Sequence, residues 1–239
     1  MLCAALFFGL GVWSLSSPSA KVFEHTTSTG EIRTIILTDG SKITLGGSTS
    51  LKSSFSDQSR QVTLNSGRAF FDVSPDIDRP FTVSAADTRI RVLGTSFDVA
   101  FRSEDVHVSV EHGRVDVSII ENGSVTDSSL LTDGMQISAA YTGVMGPKNN
   151  FDTNTLSWRQ GQLAYVDTRL EDIVEEVNRY RTPSQKIKIA DAALENLRVS
   201  FSVAADQTDT LLSGLEAILP IEVERSATGT TIIRASRED

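Results

Sequence analysis

The segment QVTLNSGRAFFDV, residues 61–73, decides the fold class of the N-terminal half of the chain. It holds two short runs rich in apolar and β-branched residues, 61–64 and 69–73, on either side of Ser66-Gly67. Such runs are typical of β-strands, and glycine supplies the positive-φ position that a tight turn needs. The segment therefore predicts two strands joined by a turn.

The same pattern repeats along residues 21–140. Further runs of this kind occupy residues 34–37, 42–45, 81–83, 90–93, 97–101, 106–110 and 115–119, with turn signals such as Asp39-Gly40, His112-Gly113, Asn122-Gly123 and Asp133-Gly134 between them. No segment with helical periodicity interrupts them. About nine strands in about a hundred residues predict an all-β domain over residues 21–140, which is a sandwich, a roll or an antiparallel solenoid.

The composition excludes several function classes. The 239 residues carry 22 Lys and Arg against 31 Asp and Glu, a formal net charge of −9, and such a surface repels nucleic acid. Cys3 is the one cysteine of the sequence, so neither a disulfide framework nor a thiolate metal cluster is expected. The sequence contains no phosphate loop, no dinucleotide fingerprint and no nucleophile paired with a base. We therefore expect no cofactor, no metal and no conventional enzyme.

Residues 1–20, MLCAALFFGLGVWSLSSPSA, carry no charged side chain. A helix over residues 1–15 would rise roughly 22 Å, which is less than the roughly 30 Å hydrocarbon core of a bilayer. The segment is interpreted as the second half of a transmembrane helix, with a weak signal peptide as the alternative. Both interpretations place residues 21–239 outside the cytoplasm.

The pattern changes after a loop-like segment, residues 141–157, which is interpreted as a linker. Leu163–Val166 is a predicted strand, and Leu170, Ile173, Val174, Val177 and Tyr180 then follow at the spacing of one helix face. Thr168 and Glu171 form a predicted capping box. Strands at 186–189, 199–203, 221–223 and 230–233 and a second helix ending before Pro220 complete two strand–helix–strand halves. Residues 158–239 are therefore predicted to form a small α+β domain of two similar βαβ halves.

The first of these helices also carries four carboxylates, Glu171, Asp172, Glu175 and Glu176. They lie opposite the apolar stripe, so they are interpreted as a solvated surface.

Three function classes remain for the whole chain. These are a signal-transducing binding protein, which we favour, a periplasmic carbohydrate-binding or envelope-assembly β-protein, and a hydrolase, for which the residues offer no support.

A set of short motifs, in a fixed order, resembles the FecR family of inner-membrane sigma-factor regulators. The motifs are Gly30–Arg33, Leu37–Ser41, Arg60–Leu64, Gly67–Val73, Arg79–Val83, Val92–Val99, Val110–Val115, Trp158 and Asn178–Tyr180. The resemblance implies a FecR-like roll or solenoid-like all-β domain over residues 21–140. The doubled βαβ that follows looks like the secretin/TonB short N-terminal (STN) domain.

The resemblance also implies partners and a place in the cell. The chain would be a single-pass inner-membrane protein whose periplasmic residues 21–239 contact the N-terminal signalling domain of a TonB-dependent outer-membrane receptor. The receptor signal, for iron–siderophore or other nutrient uptake, would reach an extracytoplasmic-function (ECF) sigma factor through a cytoplasmic region missing from this chain. The residues expected to help bind the receptor are Trp158, Leu163, Leu170, Val177, Arg179 and Tyr180. For Leu170 and Val177, a role in the buried helix stripe is the competing interpretation.

Gly94-Thr95 lies in a Leu-Gly-Thr-x-Phe motif, and the resemblance implies self-cleavage at this bond because some family members break their chain there. A threonine hydroxyl can attack the preceding carbonyl, and the resulting ester hydrolyses more readily than an amide. The same pair between two predicted strands also suits a bulge or tight bend. Both interpretations remain open from the sequence.

Overall fold

The computed structural model describes residues 21–227 and 229–236. The membrane-helix and signal-peptide interpretations concern residues 1–20, which lie outside the described residues. Among the described residues, every helix is too short or too polar to cross a bilayer.

The N-terminal part of the described chain, residues 21–150, is built from strands alone. They are β1 (Lys21–Thr26), β2 (Arg33–Ile36), β3 (Lys42–Leu45), β4 (Ser50–Phe55), β5 (Arg60–Ser66), β6 (Arg68–Asp72), β7 (Phe81–Ala85), β8 (Thr88–Val92), β9 (Ser96–Phe101), β10 (Asp105–His112), β11 (Arg114–Glu121), β12 (Ser124–Thr132), β13 (Met135–Ala140) and β14 (Asn149–Asn150). The mainly β prediction is confirmed, with 51% of the described residues in strands and 16% in helices.

These strands form two seven-stranded sheets, which together we call the sandwich. The first sheet has the order β1-β4-β5-β7-β8-β11-β12, and the second has the order β14-β13-β10-β9-β6-β3-β2. Their inner faces share one core of buried aliphatic side chains and phenylalanines. Phe71 of β6 stacks on Phe97 of β9 with ring centroids 5.0 Å apart. Of the arrangements that the sequence left open, the structure shows two sheets packed face to face.

The Ser66-Gly67 turn is fixed by a close approach of two backbones. Gly67 joins β5 to β6 with a φ of +92°, and a Cβ at this position would lie 2.5 Å from the Cα of Thr49. Only glycine fits such a position without strain. The chain passes from the first sheet to the second at this turn.

The C-terminal part of the chain, which we call the C-terminal unit, follows a 3₁₀ helix at Thr153–Gln160. Its elements are β15 (Gln162–Arg169), α1 (Leu170–Val177), a 3₁₀ turn (Pro183–Gln185), β16 (Ile187–Ile189), α2 (Ala192–Glu195), β17 (Arg198–Ala204), α3 (Thr208–Ile218), β18 (Ile221–Arg225) and β19 (Thr231–Ala235). The predicted linker 141–157 contains β14 and the start of the 3₁₀ helix, and Leu156 is buried there.

The two predicted βαβ halves interlock in the structure. β15 pairs antiparallel with β17, so the first strand of one half joins the first strand of the other. β16 pairs with β19 in parallel, and β18 pairs with β19 antiparallel. Each half therefore contributes to both small sheets, and neither half forms a sheet of its own.

The predicted capping box is wrong. Thr168 lies in β15, and α1 begins at Leu170 with Arg169 as an N-cap that makes no side-chain capping bond. The oxygen of Leu197 accepts the backbone N–H of Leu170 instead. Pairing with β17 extends β15 through the residues that would have formed the cap.

The C-terminal unit covers the outer face of the second sheet. On β6, Phe71 enters the core of the sandwich, whereas its neighbour Phe70 enters the core of the C-terminal unit. Successive side chains of a strand point to opposite faces, so one strand serves both cores. The result is three layers, with the second sheet in the middle.

Candidate functional site

A buried ion-pair network connects the second sheet to the C-terminal unit. We call it the joint and define it as Arg68, Asp98, Trp158 and Glu176. The carboxylate of Asp98 on β9 accepts the indole N–H of Trp158 at 2.9 Å and the Nε–H of Arg68 at 2.9 Å. The Arg68 guanidinium also lies 3.5 Å from a Glu176 oxygen and donates to the Thr155 carbonyl at 3.2 Å. One arginine thereby binds Asp98 of its own sheet and two groups outside the sandwich, Glu176 and the Thr155 carbonyl.

The joint is removed from water. Asp98 is 1% exposed and Trp158 is fully buried, and the Arg68 guanidinium lies 5.2 Å from the centre of the indole ring. Burial raises the pKa of Asp98, while the charge of Arg68 opposes that rise. A buried charge that loses its partner destabilises a protein by about 3–5 kcal/mol. The joint therefore favours one relative position of the two parts.

The acidic face of α1 is not a solvated surface, so that prediction is wrong. Asp172 lies 3.2 Å from Arg102 of the sandwich, and Glu175 accepts the backbone N–H of Ser103 at 2.9 Å. These carboxylates face the turn between β9 and β10, where an arginine and a backbone N–H group compensate their charge. The sequence analysis placed these carboxylates opposite the apolar stripe, but it missed that the sandwich covers this side of α1.

The segment after α1 also contacts the sandwich. The Arg179 carbonyl accepts the backbone N–H of Gly30 at 2.9 Å, and its guanidinium donates to the carbonyl of Phe101. Glu175 lies 3.1 Å from the same guanidinium. Tyr180, predicted at the end of the helix stripe, lies beyond the end of α1 and packs against the core of the C-terminal unit.

The structure places the predicted receptor-binding residues in the interior. Trp158, Leu163, Leu170 and Val177 are between 0% and 1% exposed. Arg179 and Tyr180 are partly buried at the contact with the sandwich. Binding of a partner by this segment stays a prediction, and these side chains would act by shaping the surface around them.

Gly94 and Thr95 lie where the chain crosses from the first sheet to the second, between β8 and β9. A Cβ on Gly94 would lie 2.7 Å from the Cα of Pro75, so packing alone requires glycine here. Thr95 is 4% exposed, and its hydroxyl donates to the carbonyl of Arg114 at 3.0 Å. These contacts describe a tight bend, and self-cleavage stays a prediction.

A polar cleft of about 650 Å³ lies beside the joint, between the second sheet and β15. His107 of β10 stands on its floor, where Nδ1 lies 3.0 Å from the Ser138 hydroxyl and Nε2 lies 3.2 Å from the Gln136 side-chain oxygen. Burial lowers the pKa of His107 well below its usual value, and the charges of Arg102 and Arg68 lower it further. The ring is therefore neutral in the folded protein at neutral pH.

The state of His107 predicts how stability changes with pH. Because the pKa of His107 is lower in the folded chain, protons bind preferentially to the unfolded chain once the pH falls below about 6.5. The free energy of unfolding of the unmodified chain should then fall relative to His107→Gln, by at most about 1.4 kcal/mol per pH unit. Urea unfolding of both proteins across this range measures the difference. If the free energies of unfolding of the two proteins change by the same amount with pH, folding does not lower the pKa of His107.

Comparisons with known proteins agree with this architecture. The family model described as FecR protein matches residues 23–116, which begin in β1 and end in β11 of the sandwich. A search among curated proteins found no match.

Two crystal structures of a putative anti-sigma factor from Parabacteroides distasonis ATCC 8503 have a similar fold. Each has a TM-score of 0.78 and 23% sequence identity to this chain, and each matches over its whole length. The matches cover 91% and 90% of this chain, so they include the sandwich and the C-terminal unit. Residues 23–116 of the sandwich thus match the FecR family model, and about nine-tenths of the chain shares its fold with the Parabacteroides distasonis protein.

Proposed function

We propose that this chain is the periplasmic part of a single-pass inner-membrane regulator of an ECF sigma factor. It would receive its signal from a ligand-loaded TonB-dependent outer-membrane receptor, in the control of iron–siderophore or other nutrient uptake. The FecR match over residues 23–116 is the observation that carries this proposal. The likeness to the Parabacteroides distasonis protein and the uncharged composition of residues 1–20 support it.

The joint gives this proposal a mechanical path. A receptor that binds the C-terminal unit would act on Glu176 and Trp158, which Arg68 and Asp98 connect to the second sheet. The shared core connects the second sheet to the first, where β1 is an edge strand that begins at Lys21. A displacement of the C-terminal unit would therefore be transmitted to β1, which lies next to the proposed membrane segment. No part of this path requires a flexible linker.

The edges of the two small sheets suggest where a receptor strand adds. Asn178 occupies the edge of β16, because its side chain accepts the N–H of Ile187 at 2.7 Å and donates to the Ile187 carbonyl at 2.9 Å. Glu216 accepts the N–H of Val223 at 2.7 Å on the edge of β18. Side chains that engage edge backbone groups oppose pairing with a further strand.

β17 lacks this protection. Within residues 21–227 and 229–236, no side chain hydrogen-bonds to the backbone of Arg198–Ala204. β17 has one partner, β15, so its other edge is available to an added strand. Addition of an extended segment to such an edge is a common mode of peptide recognition. We assign the receptor contact to this edge.

Hydrogen exchange with the receptor's isolated N-terminal signalling domain tests the assignment. On binding, the backbone amides of residues 198–204 should exchange more slowly, because an added strand bonds to the exposed edge. The blocked edges, residues 187–189 and 221–225, serve as internal controls and should change little. Saturable binding that leaves residues 198–204 unprotected would contradict the edge assignment, and absence of binding would contradict the receptor role itself.

We also propose that the Gly94–Thr95 bond breaks by an internal acyl shift. The Thr95 hydroxyl would attack the Gly94 carbonyl carbon, the carbon–nitrogen bond would break as the Thr95 nitrogen takes up a proton, and water would cleave the resulting ester. Glycine at position 94 supports this proposal, because a residue without a Cβ does not crowd the attack on its own carbonyl carbon.

Purified chain should then yield two fragments on a denaturing gel, the larger one beginning at Thr95. Thr95→Ala should abolish the split, with the circular-dichroism spectrum unchanged. Arg114→Ala serves as a control, since Thr95 contacts only its backbone carbonyl. A single full-length band from the unmodified chain would leave the bend as the motif's role.

A further inference from the structure

We propose that the cleft beside the joint binds an uncharged saccharide. The cleft's floor is the outer face of the second sheet, formed by β10 and β13, and its opposite wall is the end of β15. Its volume, about 650 Å³, lies within the range of about 300–1,000 Å³ that is usual for small-molecule sites. The inference does not depend on the receptor relay proposed above.

Several buried polar atoms of the cleft lack a partner. Tyr165 lines the cleft and is 8% exposed, yet its hydroxyl has no hydrogen-bond partner among the described residues. The same holds for a carboxylate oxygen of Asp105 and for Nε of Arg169 and of Arg179, which line the same cleft. Polar groups buried without partners are rare in folded proteins. Four in one cleft indicate a bound molecule that supplies both donors and acceptors.

The charges of the cleft disfavour an anionic ligand. Each of the five arginines in its lining has a carboxylate within 3.2 Å, in the pairs Arg68–Asp98, Arg102–Asp172, Arg169–Glu104, Arg179–Glu175 and Arg198–Asp167. A phosphate or a carboxylate ligand would have to displace one of these partners. The floor itself carries the neutral His107, the uncharged Gln136 and one carboxylate, Asp105, whose pKa is raised by burial.

Sugar hydroxyls fit this combination. Each hydroxyl both donates and accepts, so a row of them can satisfy the Tyr165 hydroxyl, the Asp105 oxygen and the Arg169 N–H together. Phe151 and Val166 also line the cleft and offer apolar surface to the C–H face of a sugar ring. A neutral peptide shares the absence of charge, and the experiment distinguishes the two.

Saturation-transfer NMR on the full chain in nanodiscs tests the inference. The saccharide probes are maltotetraose, cellotetraose and chitotetraose, and the comparison ligands are inorganic phosphate and a capped tetraserine peptide. At least one oligosaccharide should bind saturably at millimolar concentration or below. If no oligosaccharide binds, or if phosphate or the peptide is the one ligand that binds, the inference is wrong.

Tyr165→Phe locates the site. This variant removes a hydroxyl that has no partner in the protein, so the melting temperature should not fall. It should weaken oligosaccharide binding about 5- to 10-fold, as expected for the loss of one uncharged hydrogen bond. Tyr180→Phe is the matched control because its hydroxyl is also buried but lies outside the cleft. Equal affinity of the unmodified chain and Tyr165→Phe would overturn the assignment.

Discussion

The ion pair between Arg68 and Asp98 is the contact on which the arrangement of the molecule depends. It joins neighbouring strands of the second sheet and offers Trp158 an acceptor and Glu176 a cation. Both charges are shielded from solvent, so each requires the other and their shared partners. The C-terminal unit completes this network, and its position over the second sheet follows from the network as much as from the apolar contacts of Phe70.

The sequence predicted the elements that have a strong local pattern. All nine runs identified as strands are strands, and the helix that starts at Leu170 is present. The strands that it missed include β1 and β12, which are mostly exposed edge strands and lack an apolar alternation. β4 and β13 were also missed, because three of the six residues of β4 are serines and β13 ends in two alanines.

Contacts between distant segments were beyond the sequence analysis. Asp98 stands between Phe97 and Val99 in a strand that is buried on both faces, and this is a local sign of a covered second face. The acidic side of α1 is the face that meets the sandwich. The spacing of its carboxylates along the helix is the same whether they face water or arginines, so the sequence does not distinguish the two. The cleft likewise depends on three segments that only the fold brings together: β10, β13 and β15.

These features combine into one account of the chain as a relay. A partner at the β17 edge and a ligand in the cleft would both act on the C-terminal unit and on its contact with the second sheet. The charges of Glu176 and Arg68 act on the pKa of Tyr165, which lines the cleft. The cleft and the joint therefore share an electrostatic environment. The central claim is therefore that the sandwich and the C-terminal unit behave as one cooperative body.

Scanning calorimetry of the unmodified chain and Arg68→Met tests this claim most directly. The unmodified chain should unfold in one transition. Arg68→Met leaves Asp98 without its cation and removes one of the two arginines beside Glu176, so it should lose about 3–5 kcal/mol and unfold in two separate transitions. Arg198→Met, which removes an exposed pair with Asp167 inside the C-terminal unit, should cost less than about 1 kcal/mol and keep a single transition. If Arg68→Met unfolds in one transition and loses no more stability than Arg198→Met, the joint does not couple the two parts.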